Sequence, residues 1–447
     1  MKDVRICIIG GGSRMWAIEF MRDLTMHDDI TGTLVLYDRD YDAAKRNVGV
    51  AEQCFKVNHW EGHVKVVAEK EIGKALDGCN LVIISIEPGR TECRWGDLVL
   101  PEQYGILETV GDTTGPGGIM RARRSIPLFT GFAKEIKAHC PDAWVINYTN
   151  PMTLCTAALF REWPGIKALG CCHEVFHLEN FIADKVAQWF DVPRPDRRDI
   201  EVDITGVNHF TWITKAAWNG NNLMPKLEEL AHDPKTFPDE TKVAMERIEG
   251  KKWFDCDHLV ALALLRDFGA LGAAGDRHLS EFIPWILRDE KELWRYGVVR
   301  TPYEWRLSER DRKLNKVFTD EELKSKPTDE EGVDIMRSLM GDRTLYTNMN
   351  RPNVGQVSFL PRGRIVETMN YLRKDEIVPS VANNPPLSVQ QMISHVSDVQ
   401  QMTLDAVCEQ DDGLLFQAFV NDPLVTIPLS QAHELFDKML GACKLDY

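Results

Sequence analysis

No apolar run in this chain reaches the roughly 18 residues that a membrane-crossing helix needs, so no membrane span is expected. Basic charge is also short. The formal net charge is −15 at pH 7, which argues against nucleic acid or an anionic membrane surface as a partner, since both require a basic face. A small anionic substrate stays open, because it feels only the local field of its pocket. Regularly spaced cysteine pairs are missing too. The eleven cysteines are odd in number and scattered, a pattern that suits free thiols in a reducing compartment better than a disulfide framework. Met1 to Asp3 leads straight into a strand-like run, leaving no room for a signal peptide, and the expected location is cytoplasmic. Internal repeats and low-complexity tracts are absent.

What remains is a chain of 447 residues with 44% hydrophobic and 27% charged content, enough for a large core and two to three domains. Val4 to Ile9 is apolar, Gly10-Gly11-Gly12-Ser13 follows, then a helical pattern to about Leu24, and Leu34 to Tyr37 ends at Asp38. This is a βαβ unit of the size used to bind a dinucleotide. Glycines let the backbone approach a pyrophosphate, and the helix N-terminus offers donors. Asp38 can accept from the ribose hydroxyls and would repel a 2′-phosphate, which favours NAD over NADP. Met15 stands where the third glycine of G-x-G-x-x-G would be, and Asp38 comes later than the usual spacing of about 20 residues. The alternative is a tight strand–helix turn with a solvated Asp38.

Leu81 to Ile86, Trp144 to Asn147 and Ile166 to Leu169 read as strands, and a second glycine-rich loop, Gly111 to Gly118, precedes a helix expected near Ile119. Beyond Glu201 the texture changes. Strands are expected at Val202 to Ile204, His209 to Thr214, Val354 to Leu360 and Arg364 to Thr368. Helices are expected at His258 to Phe268, Leu387 to Cys408 and Pro428 to Leu440. Lys226 to Lys251 reads as helical with a turn at Pro234. The charged stretch Glu304 to Asp342 is expected to be helical and peripheral. The fold class is therefore α/β: a Rossmann-type doubly wound parallel sheet over residues 1–200, and an α+β catalytic and oligomerisation domain over 201–447 that returns onto the first.

Chemistry concentrates after the third of these central strands, in Gly170-Cys171-Cys172-His173-Glu174-Val175-Phe176. Cys172 and His209 are candidate metal ligands, thiolate and imidazole being ordinary donors to divalent metals. No local spacing motif joins them, and a small buried thiol and a hydrogen-bonded core histidine are the competing readings. Asp276-Arg277-His278, with Glu281 one turn later, is a polar cluster in an apolar neighbourhood. There, an ion pair competes with a general base. Asn150, ahead of Pro151, is held out of helical geometry.

Taken together, these blocks resemble glycoside hydrolase family 4, glycosidases that need NAD⁺ and a divalent metal, typically Mn²⁺, and that depart from two-carboxylate hydrolysis. The matching stretches are Gly10 to Ser13, Gly111 to Gly118, Asn147 to Pro151, Cys172 to Val175, Gly206 to Phe210 and Gly275 to His278. Cys172-His173-Glu174-Val175 is most similar to the α-galacturonidase group, with α-glucuronidase and neutral α-galactosidase or α-glucosidase as neighbours. The resemblance implies transient oxidation at C3 of the sugar, metal-assisted loss of the C2 proton, elimination of the C1 leaving group, water addition and re-reduction. It implies Gly10, Gly11, Gly12, Ser13 and Asp38 for NAD, and Cys172 and His209 for Mn²⁺. Asp276 is then the base at C2, and His173 a candidate acid. Asn150 and Asn208 would bind sugar hydroxyls, and Arg277, then Arg90, the uronate carboxylate. The partner implied is a small oligosaccharide or uronate glycoside, and the assembly a homodimer or homotetramer. Two other readings compete: an NAD-dependent sugar or hydroxy-acid dehydrogenase, and a non-catalytic NAD-binding regulator.

Overall fold

The structure, a computed structural model, describes residues 1–238, 240–341 and 343–442. Its first half is built on six parallel strands: β1 (Val4–Ile9), β2 (Gly32–Tyr37), β3 (Val64–Glu69), β4 (Leu81–Ile84), β5 (Trp144–Asn147) and β6 (Lys167–Gly170). Their order is β3-β2-β1-β4-β5-β6, so the sheet is of the doubly wound Rossmann type and the strand order reverses between β1 and β4. The apolar runs of these strands follow from burial on both faces. Alternate side chains enter different cores: Ile6, Ile8, Leu81 and Ile83 lie on one side, and Cys7, Ile9, Val82 and Ile84 on the other. Each such fully buried aliphatic side chain contributes about 1.5–3 kcal/mol relative to exposure.

The second half holds a small antiparallel sheet of β7 (Glu201–Val207), β8 (Phe210–Trp218), β9 (Asn221–Asn222) and β10 (Leu271–Gly272). It then returns to the first sheet. The strands β11 (Leu345–Pro352), β12 (Ile365–Arg373) and β13 (Glu376–Pro379) extend the parallel sheet beyond β6 as antiparallel neighbours, giving nine strands in all. The main sheet therefore runs across the boundary expected at residue 200.

Helices Leu259–Phe268, Leu387–Glu409 and Leu429–Ala442 form where the apolar periodicity placed them. The helix expected from Ile119 begins at Gly115 instead, because Pro116 in the first turn needs no backbone donor. Residues 354–360 are loop and not strand. The Asn353 amide donates to the carbonyls of Val357 and Leu360, and its oxygen accepts from the N–H of Gly355 and Val357. A side chain that binds four local backbone groups competes successfully with a ladder. The charged stretch from Glu304, whose last residue Asp342 lies outside the described residues, is peripheral only in its first part, where the helix Tyr303–Leu314 has no buried residue. Its helix Gly332–Met340 buries Val333, Ile335, Met336 and Leu339 in the core beneath the sheet.

Among the described residues nine cysteines are free thiols, whereas Cys93 is disulfide-bonded, a departure from the expectation of free thiols throughout. Among the described residues no helix is long and apolar enough to cross a membrane.

The turn after β1 passes close against the end of β4. Gly10 has φ +97°, and a Cβ there would lie 1.9 Å from the Ser85 carbonyl oxygen. Replacing it, Gly10→Ala, is expected to cost about 1–3 kcal/mol through backbone strain alone, read as a fall in the denaturant midpoint. An unchanged midpoint would mean that the turn relaxes freely.

Candidate active site

The reversal between β1 and β4 opens a crevice at the C-terminal ends of the strands, where ligands of such sheets bind. Gly10 to Ser13 lie on one side of it. Asp38, at the end of β2, accepts from the Gly12 N–H at 2.9 Å and, through its other oxygen, from the Asp40 N–H at 2.9 Å. Each carboxylate oxygen keeps a lone pair for a hydroxyl. Asn47 braces the loop from behind, donating to the Gly11 and Ser13 carbonyls at 2.8 and 2.7 Å. Met15 is the residue before the helix Trp16–Leu24 and is half exposed. No close helix–strand contact falls there, so the position tolerates a long side chain where the fingerprint has glycine. The donor set fits a dinucleotide.

A second wall is the loop from Glu108 to Thr114. One oxygen of Glu281 accepts the N–H groups of Thr109, Val110 and Gly111 at 2.7, 2.6 and 2.8 Å. Asp422 accepts from the Thr114 hydroxyl and the Gly115 N–H at 3.0 and 2.9 Å. Held this way, the loop presents Asp112 to two imidazoles. Asp112, His209 and His278 place one ligand atom each within 4.8 Å of one another, and the two rings stand 3.8 Å apart. His209 occupies the two-residue turn between β7 and β8 with φ +63°. Its Nδ1 lies 2.8 Å from the Thr113 hydroxyl, which donates to Asp112 at 2.7 Å. That hydroxyl therefore accepts the Nδ1 proton, and the Nε2 lone pair is left for a metal. Burial, then the neighbouring His278, pushes His209 down to about 3, so the ring is neutral as a ligand must be. Burial would raise Asp112, but His278, Arg121 and His209 outweigh it and hold the carboxyl well below its ordinary range.

Cys172 stands at the end of β6 outside this trio. Burial, then Glu367 and Glu174, pushes its thiol well up. Glu367 accepts from Asn208 at 3.1 Å and from Asn348 at 2.6 Å, and Asn348 also donates to the Cys172 carbonyl. Glu174 is common to both groups: Gly275 N–H fixes one oxygen at 2.8 Å, and the other lies 3.8 Å from His278 Nε2 and 3.9 Å from His173 Nε2. Despite burial, those imidazoles hold Glu174 well below the ordinary carboxyl range. His173 turns its Nδ1 to Glu330 at 3.3 Å. Burial pushes Glu330 up to about 8. Asn150 donates to Asp112 at 3.3 Å. The Asn150 and Asn208 side-chain oxygens and the His278 Nδ1 are buried without a protein partner. Polar groups of this kind, beside a carboxylate, a thiol and two imidazoles, fit a divalent metal and a polyhydroxylated ligand.

Two expected residues are placed differently. Asp276, read as the base, is 1% exposed. Its oxygens accept the N–H groups of Leu259, Val260 and Ala261 at 2.8, 2.9 and 3.2 Å. It caps the helix Leu259–Phe268 and is turned to that helix, so the carboxylate has no reach into the crevice. Burial pushes it up to about 7 against the pull of those donors. Arg90 is exposed, at the N-cap of the helix Thr91–Glu102. Arg277 is well placed, and it has company. Arg277 and Arg306 both donate to the Thr109 carbonyl, at 2.7 and 3.0 Å, and Arg94 donates to the Gly111 carbonyl at 2.6 Å and to that of Val110. Burial, then Arg94 and Arg277, pushes Arg306 down to about 9.

Comparison with known proteins decides the family. The pattern of the family 4 glycosyl hydrolases matches residues 5–188, and that of their C-terminal domain residues 204–425. The chain is a family 4 glycosyl hydrolase. An α-galacturonidase of Bacillus subtilis is 40% identical over 98% of this chain and 97% of its own length. The crystal structure of lplD from Bacillus subtilis superposes with a TM-score of 0.90 at 38% identity, covering 98% of this chain and 100% of that one. The 6-phospho-β-glucosidase of Thermotoga maritima, solved with manganese, NAD⁺ and glucose-6-phosphate, shares the fold, with a TM-score of 0.76 at 20% identity over 99% of this chain and 98% of that one.

In this family 4 hydrolase, sequence reasoning missed Asp112, His278, Glu174, Glu330 and Arg306 as site residues. His278 and Glu174 stand inside the stretches that the sequence singles out, without a role assigned to them there. Glu330 and Arg306 sit in a charged stretch with no local signal.

If Asp276 is a cap and not a base, Asp276→Ala should lower stability by about 1–3 kcal/mol in chemical denaturation, with the Asp276→Asn variant falling between. Turnover lost at an unchanged unfolding midpoint would return the residue to the chemistry.

Proposed function

We propose that this enzyme hydrolyses α-glycosides of a hexuronic acid, as its α-galacturonidase relative at 40% identity is named for doing. The observation that carries the reading is the gathering of Arg94, Arg277 and Arg306 on the carbonyls of Thr109, Val110 and Gly111. Three guanidiniums crowded in a largely buried place repel one another, and the Nε groups of Arg277 and Arg306 lack a protein partner. A carboxylate accepts from such forks in a matched, planar way. Arg277 is chain neighbour to His278, so an anion held there lies beside the group of Asp112, His209 and His278.

Gly10 to Ser13 and Asp38 would hold NAD, and Cys172 and His209, with Asp112 and His278 beside them, a divalent metal such as Mn²⁺. When bound, the dinucleotide supplies reversible hydride acceptance at C3, and the metal Lewis-acid polarisation of the sugar oxygens. The protein's own groups divide the proton work. Two carboxyl environments are pushed apart, which is how acid and base are told apart at neutral pH. Glu174, ionised and with one oxygen unfixed, takes the role of base at C2 in place of Asp276. Glu330, protonated near neutral pH, donates to His173 Nδ1, so that Nε2 carries the proton delivered to the leaving oxygen while Nδ1 takes the Glu330 proton. The free side-chain oxygens of Asn150 and Asn208 accept from sugar hydroxyls.

The deciding experiment is hydrolysis of an aryl α-D-galacturonide in D₂O with Mn²⁺, NAD⁺ and a thiol reductant, reading deuterium at C2 of the released sugar. Release with C2 deuterium that requires every addition supports the reading. Release without C2 exchange would sink the route, and net NADH from a free sugar acid would point to a dehydrogenase. Faster turnover of an α-glucuronide, or of a neutral α-galactoside or α-glucoside, would move the substrate.

Arg306→Ala should lower kcat/KM for the galacturonide by about 10- to 100-fold, the worth of one charged hydrogen bond. The same change should leave the corresponding α-galactoside nearly unaffected. Equal losses on both substrates would remove Arg306 from carboxylate recognition.

A further inference from the structure

The stretch His173-Glu174-Val175-Phe176-His177 places imidazole, carboxylate and imidazole at positions i, i+1 and i+4. On a helix, His-Glu-x-x-His sets two imidazoles on one face a turn apart, a spacing that holds zinc in hydrolases of unrelated fold. Here the helix Glu174–Phe190 begins at the glutamate, with His173 as its N-cap in helical conformation. His173, Glu174 and His177 each offer a ligand atom within 4.8 Å of the other two. The two rings are 5.3 Å apart and nearly perpendicular.

The contact of His173 Nδ1 with Glu330 at 3.3 Å supplies an independent sign. A dication that displaces the Nε2 proton leaves Nδ1, having taken the Glu330 proton, as an N–H against the Glu330 carboxylate, the arrangement behind most metal-bound histidines. His173 is one-third exposed and His177 is exposed, so an ion can reach both from solvent. This group shares no residue with Asp112, His209 and His278.

We propose that His173, Glu174 and His177 form a second cation site, selective for a borderline dication of the Zn²⁺ class, and that its occupancy inhibits the enzyme. Two imidazoles and one carboxylate bind Zn²⁺ more tightly than Mn²⁺, following the general affinity order for nitrogen donors. An ion there takes the lone pairs of His173 and Glu174. The inhibitory half rests on the proton roles given to those residues above, and the binding half does not.

The test separates the two. Metal-free enzyme is dialysed against Zn²⁺ alone, and bound metal is counted by atomic emission. The full chain is expected to hold two equivalents and His177→Ala one, with matched thermal unfolding. His177→Gln serves as a second variant that keeps polarity at the exposed position. With Mn²⁺ and NAD⁺ present, the Zn²⁺ concentration for half inhibition should rise at least about tenfold in His177→Ala, at unchanged activity without Zn²⁺. A single equivalent in the parent enzyme, or two retained in both variants, overturns the site. Loss of one equivalent with unaltered inhibition overturns the inhibitory role. The stoichiometry is read without turnover, so its failure is distinct from failure of the uronidase reading.

Discussion

One carboxylate oxygen of Glu281 takes three consecutive backbone N–H groups, those of Thr109, Val110 and Gly111. Charge-assisted bonds of this kind are worth about 1.5–3 kcal/mol each, and together they give the loop a single conformation. With its donors gathered on Glu281, the loop turns the carbonyls of Thr109, Val110 and Gly111 to Arg94, Arg277 and Arg306. The next side chain, Asp112, then meets His209 and His278. A carboxylate from the second half of the chain thus fixes both the anionic face that attracts a metal and the cationic face suited to a uronate. Glu281 also lies one turn from Arg277 and His278 in sequence, so the same short helix that orders the loop delivers two of the groups the loop serves.

That economy explains why the second half has to return to the first sheet. The nucleotide crevice needs only β1, β2 and β4, as in any doubly wound sheet. The remaining groups come from the end of β6, the β7–β8 turn, the 276–280 helix and the 303–331 segment. Extension of the parallel sheet by β11 and β12 places Asn348 and Glu367 beside Cys172 and Asn208, so the thiol sits against an ordered polar wall. The site is a junction between halves, and a sheet that runs through both is the rigid support such a junction requires.

Much of this was legible in the sequence where a single physical rule dominates. Trp144–Asn147 formed as expected because a buried parallel strand needs an unbroken apolar run. Cys172, His209, Asn150, Asn208 and Arg277 all stand in the site region. The failures have a common cause in side-chain direction, which spacing does not encode. Asp276 was read as a base from its neighbours, yet it points back to Leu259 and caps a helix. Glu330 and Arg306 were invisible because a charged helical stretch looks the same whether it faces water or covers a crevice. The loop at 354–360 misled for the opposite reason: its apolar residues Val354, Val357, Phe359 and Leu360 suggest a strand, but the Asn353 side chain captures the backbone bonds that a strand would need.

The backbone at His209 argues for function over stability. It lies at φ +63°, in the left-handed region where a residue other than glycine pays about 1 kcal/mol or more. A glycine or an asparagine would fill that turn at less strain. The imidazole there also crowds His278 at 3.8 Å, which adds to burial in driving His209 toward its neutral form. Neither feature helps the fold. Both are what a metal site asks for: an unprotonated nitrogen held at one angle by the Thr113 hydroxyl, with Asp112 at hand to neutralise an incoming dication. The positive φ alone does not mark the position, since His59 and His258 share it; what sets His209 apart is the Thr113 hydroxyl on its Nδ1 together with Asp112 and His278 at its side.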